Sequence, residues 1–314
     1  MLKVYPDYYK DFSCIAEKCR HNCCIGWEID IDKKTKEIYD KTGGELGERL
    51  SENISKDNPP HFILGKDERC PFLNDKNLCD IILGLGEGSL CDICREHPRF
   101  TNELPGRLEL GLGLVCEEVA RIVLSKKDKT TLRKEGGETE SDELIFLRND
   151  IFRVLQNREK GIFERLCDAV SRFEILPFEV DLSEWLDFFC SLECMDKKWR
   201  ERLEQLGTAI YEEAFDLVGY SEYIKASECE YEQFAVYLVY RYLANAYDVP
   251  DAAIRMCFVK LATTLLYWLG ALVFSEKGEA SFEDRVELAR MFSAEIEYSE
   301  ENMERIFEEI AFLI

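Results

Sequence analysis

Fourteen cysteines punctuate this 314-residue chain, and nine of them fall within the first 116 residues. They form three motifs. The first is Cys14-x4-Cys19-x3-Cys23-Cys24. The second is Cys70-Pro71-Phe72-Leu73, followed by Cys79-Asp80-Ile81. The third is Cys91-x2-Cys94-Arg95, followed by Pro98-Arg99, with Cys116 beyond it. Thiolates are soft ligands that suit zinc or an iron–sulfur cluster, and a C-x2-C spacing lets one loop give two ligands to one centre. Zinc sites usually pair two such knuckles. Here there is one, the spacing is irregular and thiols are in excess, which favours a cluster over zinc. The candidate ligands are Cys14, Cys19, Cys23, Cys70, Cys79, Cys91 and Cys94. Cys24 stands behind them because it adjoins a candidate, and Cys116 because it opens a helix. Lys18, Arg20, Arg95 and Arg99 lie near enough in sequence to offset thiolate charge. His21 and His97 are further donors, although a single loop histidine more often packs than ligates. A redox pair at Cys91 and Cys94 is a competing reading that lacks a βαβ frame. Cys167, Cys190, Cys194, Cys229 and Cys257 are scattered and read as small buried hydrophobes.

The elements that must hold these thiols divide the chain in three. Residues 1–125 read as a loop-rich cysteine domain, with a helix near 33–41 and a short hairpin of 99–103 and 107–112 around Pro105-Gly106. Residues 126–143 are charged and read as a linker or exposed loop. Residues 144–314 are helical, with segments near 144–156, 161–173, 183–206, 208–218, 251–274, 282–296 and 299–313. Tyr231, Phe234, Ala235, Leu238, Val239, Tyr242, Leu243 and Ala246 make one apolar helical stripe. The expected fold is therefore mainly α, a loop-rich cysteine domain packed on an all-helical one.

Composition sets the outer limits. The chain is 46% hydrophobic and 33% charged, enough apolar surface for a core, and its net charge of −23 argues against general nucleic-acid binding. Residues 1–140 hold 22 basic and 27 acidic side chains, and the remainder 18 and 36, so the helical part is the acidic one. That face reads as a solvated surface or as a dock for a lysine-rich partner. Residues 1–12 lack a signal-peptide core, and the uncharged run 261–275 is shorter than the roughly 20 residues of a spanning helix. A cytoplasmic protein with no membrane span and reduced thiols is expected.

The same residues carry a family likeness. Tyr8-Tyr9-x2-Phe12-Ser13-Cys14, Cys19-x3-Cys23-Cys24-x-Gly26-Trp27, CPFL at 70–73, Cys79-x-Ile81 and LC-x2-CR at 90–95 with PR at 98–99 form most of the run. It ends with Glu109-Leu110-x3-Leu114-x-Cys116-Glu117-Glu118-Val119-Ala120-Arg121. In these motifs, over 5–121, the chain resembles the flagellin lysine N-methylase family and, more broadly, cysteine-cluster proteins described as zinc- or iron-chelating. Glu117 stands where that family often has proline, and His97 where it often has an aromatic. The resemblance implies methyl transfer from S-adenosylmethionine to lysines of flagellin, with the cysteines holding an iron–sulfur cluster, 4Fe–4S favoured and zinc the alternative. A conventional donor-binding turn is missing: Gly84-Leu-Gly-Glu-Gly88 lies between cysteine motifs rather than after a strand. Nor is there a C-x3-C-x2-C run.

Lysine methylation makes its own demands. Deprotonating a lysine of pKa near 10.4 at pH 7 takes roughly 4.6 kcal/mol. Aromatic walls and a nearby proton acceptor lower that figure, and aromatic faces attract the sulfonium. Tyr8, Tyr9 and Trp27 are the candidate walls, and Glu28 or Asp30 the candidate acceptor. Two other classes compete with the enzyme. One is a metal- or iron–sulfur-binding structural or electron-transfer module, and the other a helical adaptor.

Overall fold

A computed structural model describes residues 1–137 and 142–314. It contains two compact units, 13–100 and a second built from 1–12 with 101–314. The first unit holds α1 (Lys33–Lys41), α2 (Gly44–Glu52) and two short helices, α3 (Asp80–Leu85) and α4 (Asp92–Glu96). Asp32 starts α1 by accepting from Thr35 N at 2.9 Å. Tyr39, Leu50, Phe62, Phe72, Ile81 and Cys91 are buried together in a small core, with Cys70, Cys79 and Cys94 packed against it. The thiols are thus part of the unit's interior rather than ornaments on its loops.

The second unit has a four-stranded sheet, β1 (Leu2–Pro6), β2 (Arg99–Leu104), β3 (Arg107–Leu112) and β4 (Leu132–Glu135), in the order β2-β3-β1-β4. Strand β1 runs parallel to β3, with Leu2 opposite Arg107, and antiparallel to β4, with Pro6 opposite Leu132. Its helices are α5 (Glu117–Ser125), α6 (Glu143–Leu155), α7 (Ile162–Val170), α8 (Leu182–Ser191), α9 (Lys197–Tyr211), α10 (Leu217–Ile224), α11 (Cys229–Tyr242), α12 (Val249–Lys277), α13 (Phe282–Phe292) and α14 (Glu300–Leu313). A π-helical turn, Ser293–Glu297, joins the last two. Side chains of Asp142, Asp181, Asp196, Asp216, Asp248, Ser281 and Ser299 cap seven of these helices. Part of the chain's acidity is therefore spent on unpaired helix N-terminal N–H groups.

The protein is mainly α, as expected, but several boundaries move. The units divide at Phe12 and Phe100, not at 125, because β1 is threaded between β3 and β4. The hairpin β2–β3 belongs to that sheet, so the helical part is not all-helical. Within 126–143, Leu132–Glu135 forms an edge strand whose charged, exposed side chains suit an unpaired edge. The rest of that expected linker includes 138–141, which lie outside the described residues. The expected helix 183–206 is two helices: Leu192 is extended (ψ 161°) and Asp196 caps a new start. The expected 208–218 segment breaks at Glu213, whose φ is +51°.

Helix α12 runs 29 residues, from the Asp248 cap with Pro250 in its first turn to Gly278, whose φ of +78° closes it. It is long and apolar enough to cross a membrane, yet 89% of its most apolar window is buried within the protein. An all-round apolar helix of this kind is the core element around which others pack. The α11 stripe is likewise wider than its periodicity shows, since every side chain from Glu230 to Tyr240 is buried.

Candidate functional site

The thiols of 13–100 come together from three stretches. The N–H of Cys70 donates to the Cys24 carbonyl at 2.8 Å, which joins the first motif to the second. The loop carrying Cys70 and Cys79 is closed by a Leu73–Cys79 bridge, by Asp80 N to Phe72 O at 2.8 Å, and by Asn74, whose Oδ1 accepts from Lys76 and Leu78. Arg69 and Arg49 clamp that loop: Arg69 donates to Asn74 O and Asn77 Oδ1, and Arg49 to Pro71 O while pairing with Asp80 at 2.9 Å. The third motif is tied in by Asp32. Its second carboxylate oxygen accepts from Asp92 N at 2.9 Å, so one residue starts α1 and holds the first turn of α4 beside it.

Electrostatics shows six of the thiols as neighbours. Cys23 and Cys24 share a hydrogen bond that lowers Cys23 to about 7 and raises Cys24, which also feels burial, Cys70 and Cys79. Cys91 and Cys94 repeat the pattern. The Cys94 thiol favours Cys91 as thiolate, and Cys94 is raised by Cys91, by burial and by Cys24 and Cys70. Burial pushes Cys70 up to about 11 and also raises Cys79. Tyr39 stands among them: its hydroxyl is raised first by burial and then by Cys91, Cys94 and Cys79, and its Oη meets no hydrogen-bond partner among the described residues. A buried hydroxyl with nothing to donate to, beside several soft donors, fits an electron-rich group held by those donors. Among the described residues, no three His, Cys, Asp or Glu side chains stand in the arrangement of a closed metal site.

The Cys14 sulfur is exposed and accepts from Ala16 N at 3.4 Å, and the Cys19 thiol donates to His21 O at 3.3 Å. Cys116 is in the other unit, at the start of α5. Burial keeps His97 neutral. Arg95, expected to offset thiolate charge, is bound by Asp92, Glu96 and the Leu90 carbonyl.

In the second unit a cleft of about 420 Å³ is lined by Asp7, Tyr8, Asp11, Ile122, Ser125, Lys126 and Arg133. Lys126 Nζ lies 3.0 Å from Asp7 Oδ2, which also accepts from Thr131 Oγ1 at 3.1 Å. Asp7 Oδ1 is shielded and meets no donor among the described residues. Tyr8 is buried, and burial followed by Asp7 raises its pKa, so it stays a neutral phenol. Of the four expected catalytic residues only Tyr8 lines this cleft. Tyr9 packs on Tyr5 with ring centroids 5.5 Å apart. Trp27 and Glu28 belong to the thiol-bearing unit, where Glu28 Oε1 is 3.7 Å from His61 Nδ1. Asp7, Lys126, Arg133 and Tyr39 escaped the sequence reading because none carries a motif.

Buried charge holds the second unit's frame. Glu109 on β3 accepts from Arg148 Nη1 through both oxygens, at 2.8 and 2.7 Å, and from Arg107 Nε at 2.5 Å. Glu232 pairs with Arg165 at 2.6 Å and Arg158 at 2.8 Å, and Glu230 with Arg285 at 2.6 Å. In the π turn, Glu297 accepts from the hydroxyls of Tyr237 and Tyr242, both at 2.9 Å. Tyr237 also accepts from Leu114 N at 3.3 Å, so the β3–α5 connection is fixed to α11. Four acidic residues of this half, Glu230, Glu232, Glu295 and Glu297, are thus internal rather than part of the expected acidic surface.

A family profile described as the FliB lysine N-methylase C-terminal domain matches residues 112–312. The chain belongs to the FliB lysine N-methylase family. Among curated relatives, the flagellar biosynthetic protein FliU of Salmonella muenchen is 28% identical over 166 residues, 50% of this chain and 92% of that protein. The lysine-N-methylases of Salmonella choleraesuis and Salmonella typhimurium are each 28% identical over 140 residues, 41% of this chain. Those matches span 34% of each enzyme, so the chain covers about a third of their length. No solved structure matches at a significant level. The profile runs from the end of β3 through α14 and meets the motif-based resemblance only at 112–121. Membership in the FliB family is therefore written in the helical frame just described, and the cysteine motifs lie almost entirely outside the matched segment.

Proposed function

We propose that this protein is a lysine N-methylase that transfers methyl groups from S-adenosylmethionine to flagellin, with the thiols of 13–100 holding an iron–sulfur cluster. The observation that carries the reading is the family match across 112–312. The printed names of the relatives, lysine-N-methylase and flagellar biosynthetic protein, support the reaction and the substrate. Six neighbouring thiols and the unpartnered Tyr39 hydroxyl support the cluster, with Cys23, Cys24, Cys70, Cys79, Cys91 and Cys94 as the set that would hold it. Thiol ligands of this number call for a reducing compartment, which puts the protein in the cytoplasm.

The donor supplies an electrophilic methyl on a sulfonium. The chain must present a neutral lysine nitrogen to it, and a carboxylate must take the proton released. Tyr8, which lines the cleft of its unit, is the aromatic wall of this reading. The adaptor alternative is weakened by the pairing of Glu228, Glu230 and Glu232, which withdraws part of α11 from any docking face.

The test is co-expression with flagellin and mass spectrometry of the flagellin. Increments of one methylene mass per methyl are expected with the wild type and none with Cys94→Ser expressed at equal level. Anaerobic purification with iron, sulfide and zinc analysis decides the metal. A loaded protein that leaves flagellin unmodified would favour the metal-binding module instead.

A further inference from the structure

We infer that the cleft between β1, α5 and β4 seats a zwitterionic α-amino-acid head group, the methionine end of the methyl donor. The inference rests on the lysine N-methylase reading and adds the place where the donor is gripped. Its first support is the charge pattern of the lining: two carboxylates, Asp7 and Asp11, face two bases, Lys126 and Arg133, around about 420 Å³, a volume within the range of small-molecule sites. A simple anion would meet Asp7 and Asp11 there, and a simple cation would meet Lys126 and Arg133. Asp7 and Lys126 already answer each other at 3.0 Å, so a ligand carrying both an ammonium and a carboxylate suits the remaining Asp11 and Arg133.

The second support is the state of the individual groups. Asp7 Oδ2 is used twice, by Lys126 and Thr131, while Oδ1 is shielded and without a donor. Asp7 is thus committed to the frame, and Asp11, exposed in the same lining, is the carboxylate left to accept from a ligand ammonium. Arg133 is exposed and forms no ion pair among the described residues, and its planar fork matches a carboxylate. Tyr8 brings a neutral aromatic side chain to the same lining. The second cleft of the same unit has more of its bases paired. It has Lys129, Arg153, Lys160 and Arg172 in its lining, but Arg153 and Arg172 are paired with Asp150, and Lys160 with Glu164 and Asp168.

The experiment measures equilibrium binding of S-adenosylmethionine, its decarboxylated form and free L-methionine to the full chain. The wild type is expected to prefer the intact donor to the decarboxylated one by about ten-fold or more, the scale of a charge-assisted hydrogen-bond pair. Arg133→Ser should erase that preference, and Asp11→Asn should weaken both adenosyl ligands alike. Both positions are exposed, so the variants keep the fold. Preference retained in full by Arg133→Ser overturns the inference and leaves the methylase reading standing. L-methionine binding as tightly as the donor overturns the donor assignment. A wild-type protein that binds no donor overturns the methylase reading and this inference together.

Discussion

Replacing Glu109 by glutamine tests the idea that paired buried charge, rather than contact number, holds the helical unit together. Glu109 and Arg148 have no exposed side-chain surface and Arg107 has 2%. Glu109 stands between the two guanidiniums. Glu109→Gln keeps size and shape but leaves Arg148 fully buried beside an amide in place of its carboxylate. Removing the compensating charge from such a site takes about 3–5 kcal/mol of stability. For a unit of this size, where 1 kcal/mol moves the midpoint by about 2–4 °C, the expected fall in Tm is about 6–20 °C. Arg148→Met deletes more atoms and more contacts, yet leaves Glu109 paired with Arg107, so its effect should be smaller, about 1–3 kcal/mol. Thermal and urea unfolding followed by far-UV circular dichroism reads both. The reasoning is refuted if Glu109→Gln lies within about 1 kcal/mol of wild type, or if Arg148→Met proves the more damaging single change.

Gly270→Ala on α12 should destabilise by about 1–3 kcal/mol, although helix propensity alone favours alanine by about 1 kcal/mol. The added Cβ would lie 2.3 Å from Tyr220 Oη and 2.6 Å from Tyr231 Oη, so a rise in Tm would show that this contact is easily relieved. In metal-free, reduced protein, Cys23 should alkylate with a midpoint near pH 7, protonated and slow below it and thiolate and fast above it. Cys70, raised to about 11, should stay unreactive through pH 9, and peptide mapping that finds the two labelled at equal rates would contradict the electrostatic picture. Stripping metal from loaded protein should open 13–100 to protease while 142–314 stays protected, because only the first unit packs its ligand candidates into its own core. An unchanged digestion pattern would mean that this small core suffices by itself.

What the sequence determined by itself was whatever depends on near neighbours. Helices followed from apolar spacing and from caps one turn away, as with Asp248 before α12 and Ser281 with Asp284 at α13. The C-x2-C spacing at Cys91 and Cys94 likewise let one turn of chain bring two sulfurs together, as their shared hydrogen bond shows. Even the cysteine-rich character of 13–100 was legible, since nine thiols in 116 residues have no bland explanation. The same local logic failed where helices stop for a single residue, as at Leu192 and Glu213, because one extended or left-handed residue barely disturbs an apolar pattern averaged over several turns.

Only the tertiary structure decided which distant segments share a site. Nothing local in Leu2–Pro6 says that it will lie between β3 and β4, more than a hundred residues away, and that placement alone moves Tyr8 out of the cysteine unit. The cleft needs Asp7 from the first turn after β1, Lys126 from the end of α5 and Arg133 from an edge strand, three positions that read individually as surface charge. Glu109, Arg148, Arg165 and Glu232 also look like surface residues in a chain of net charge −23, for a charge reads as exposed until its partner is known. Their burial is a property of pairs, and the members of these pairs lie 39 and 67 residues apart. Tyr39 gave the same kind of silence: one aromatic on a short helix, whose hydroxyl acquires meaning only because folding sets three thiols beside it.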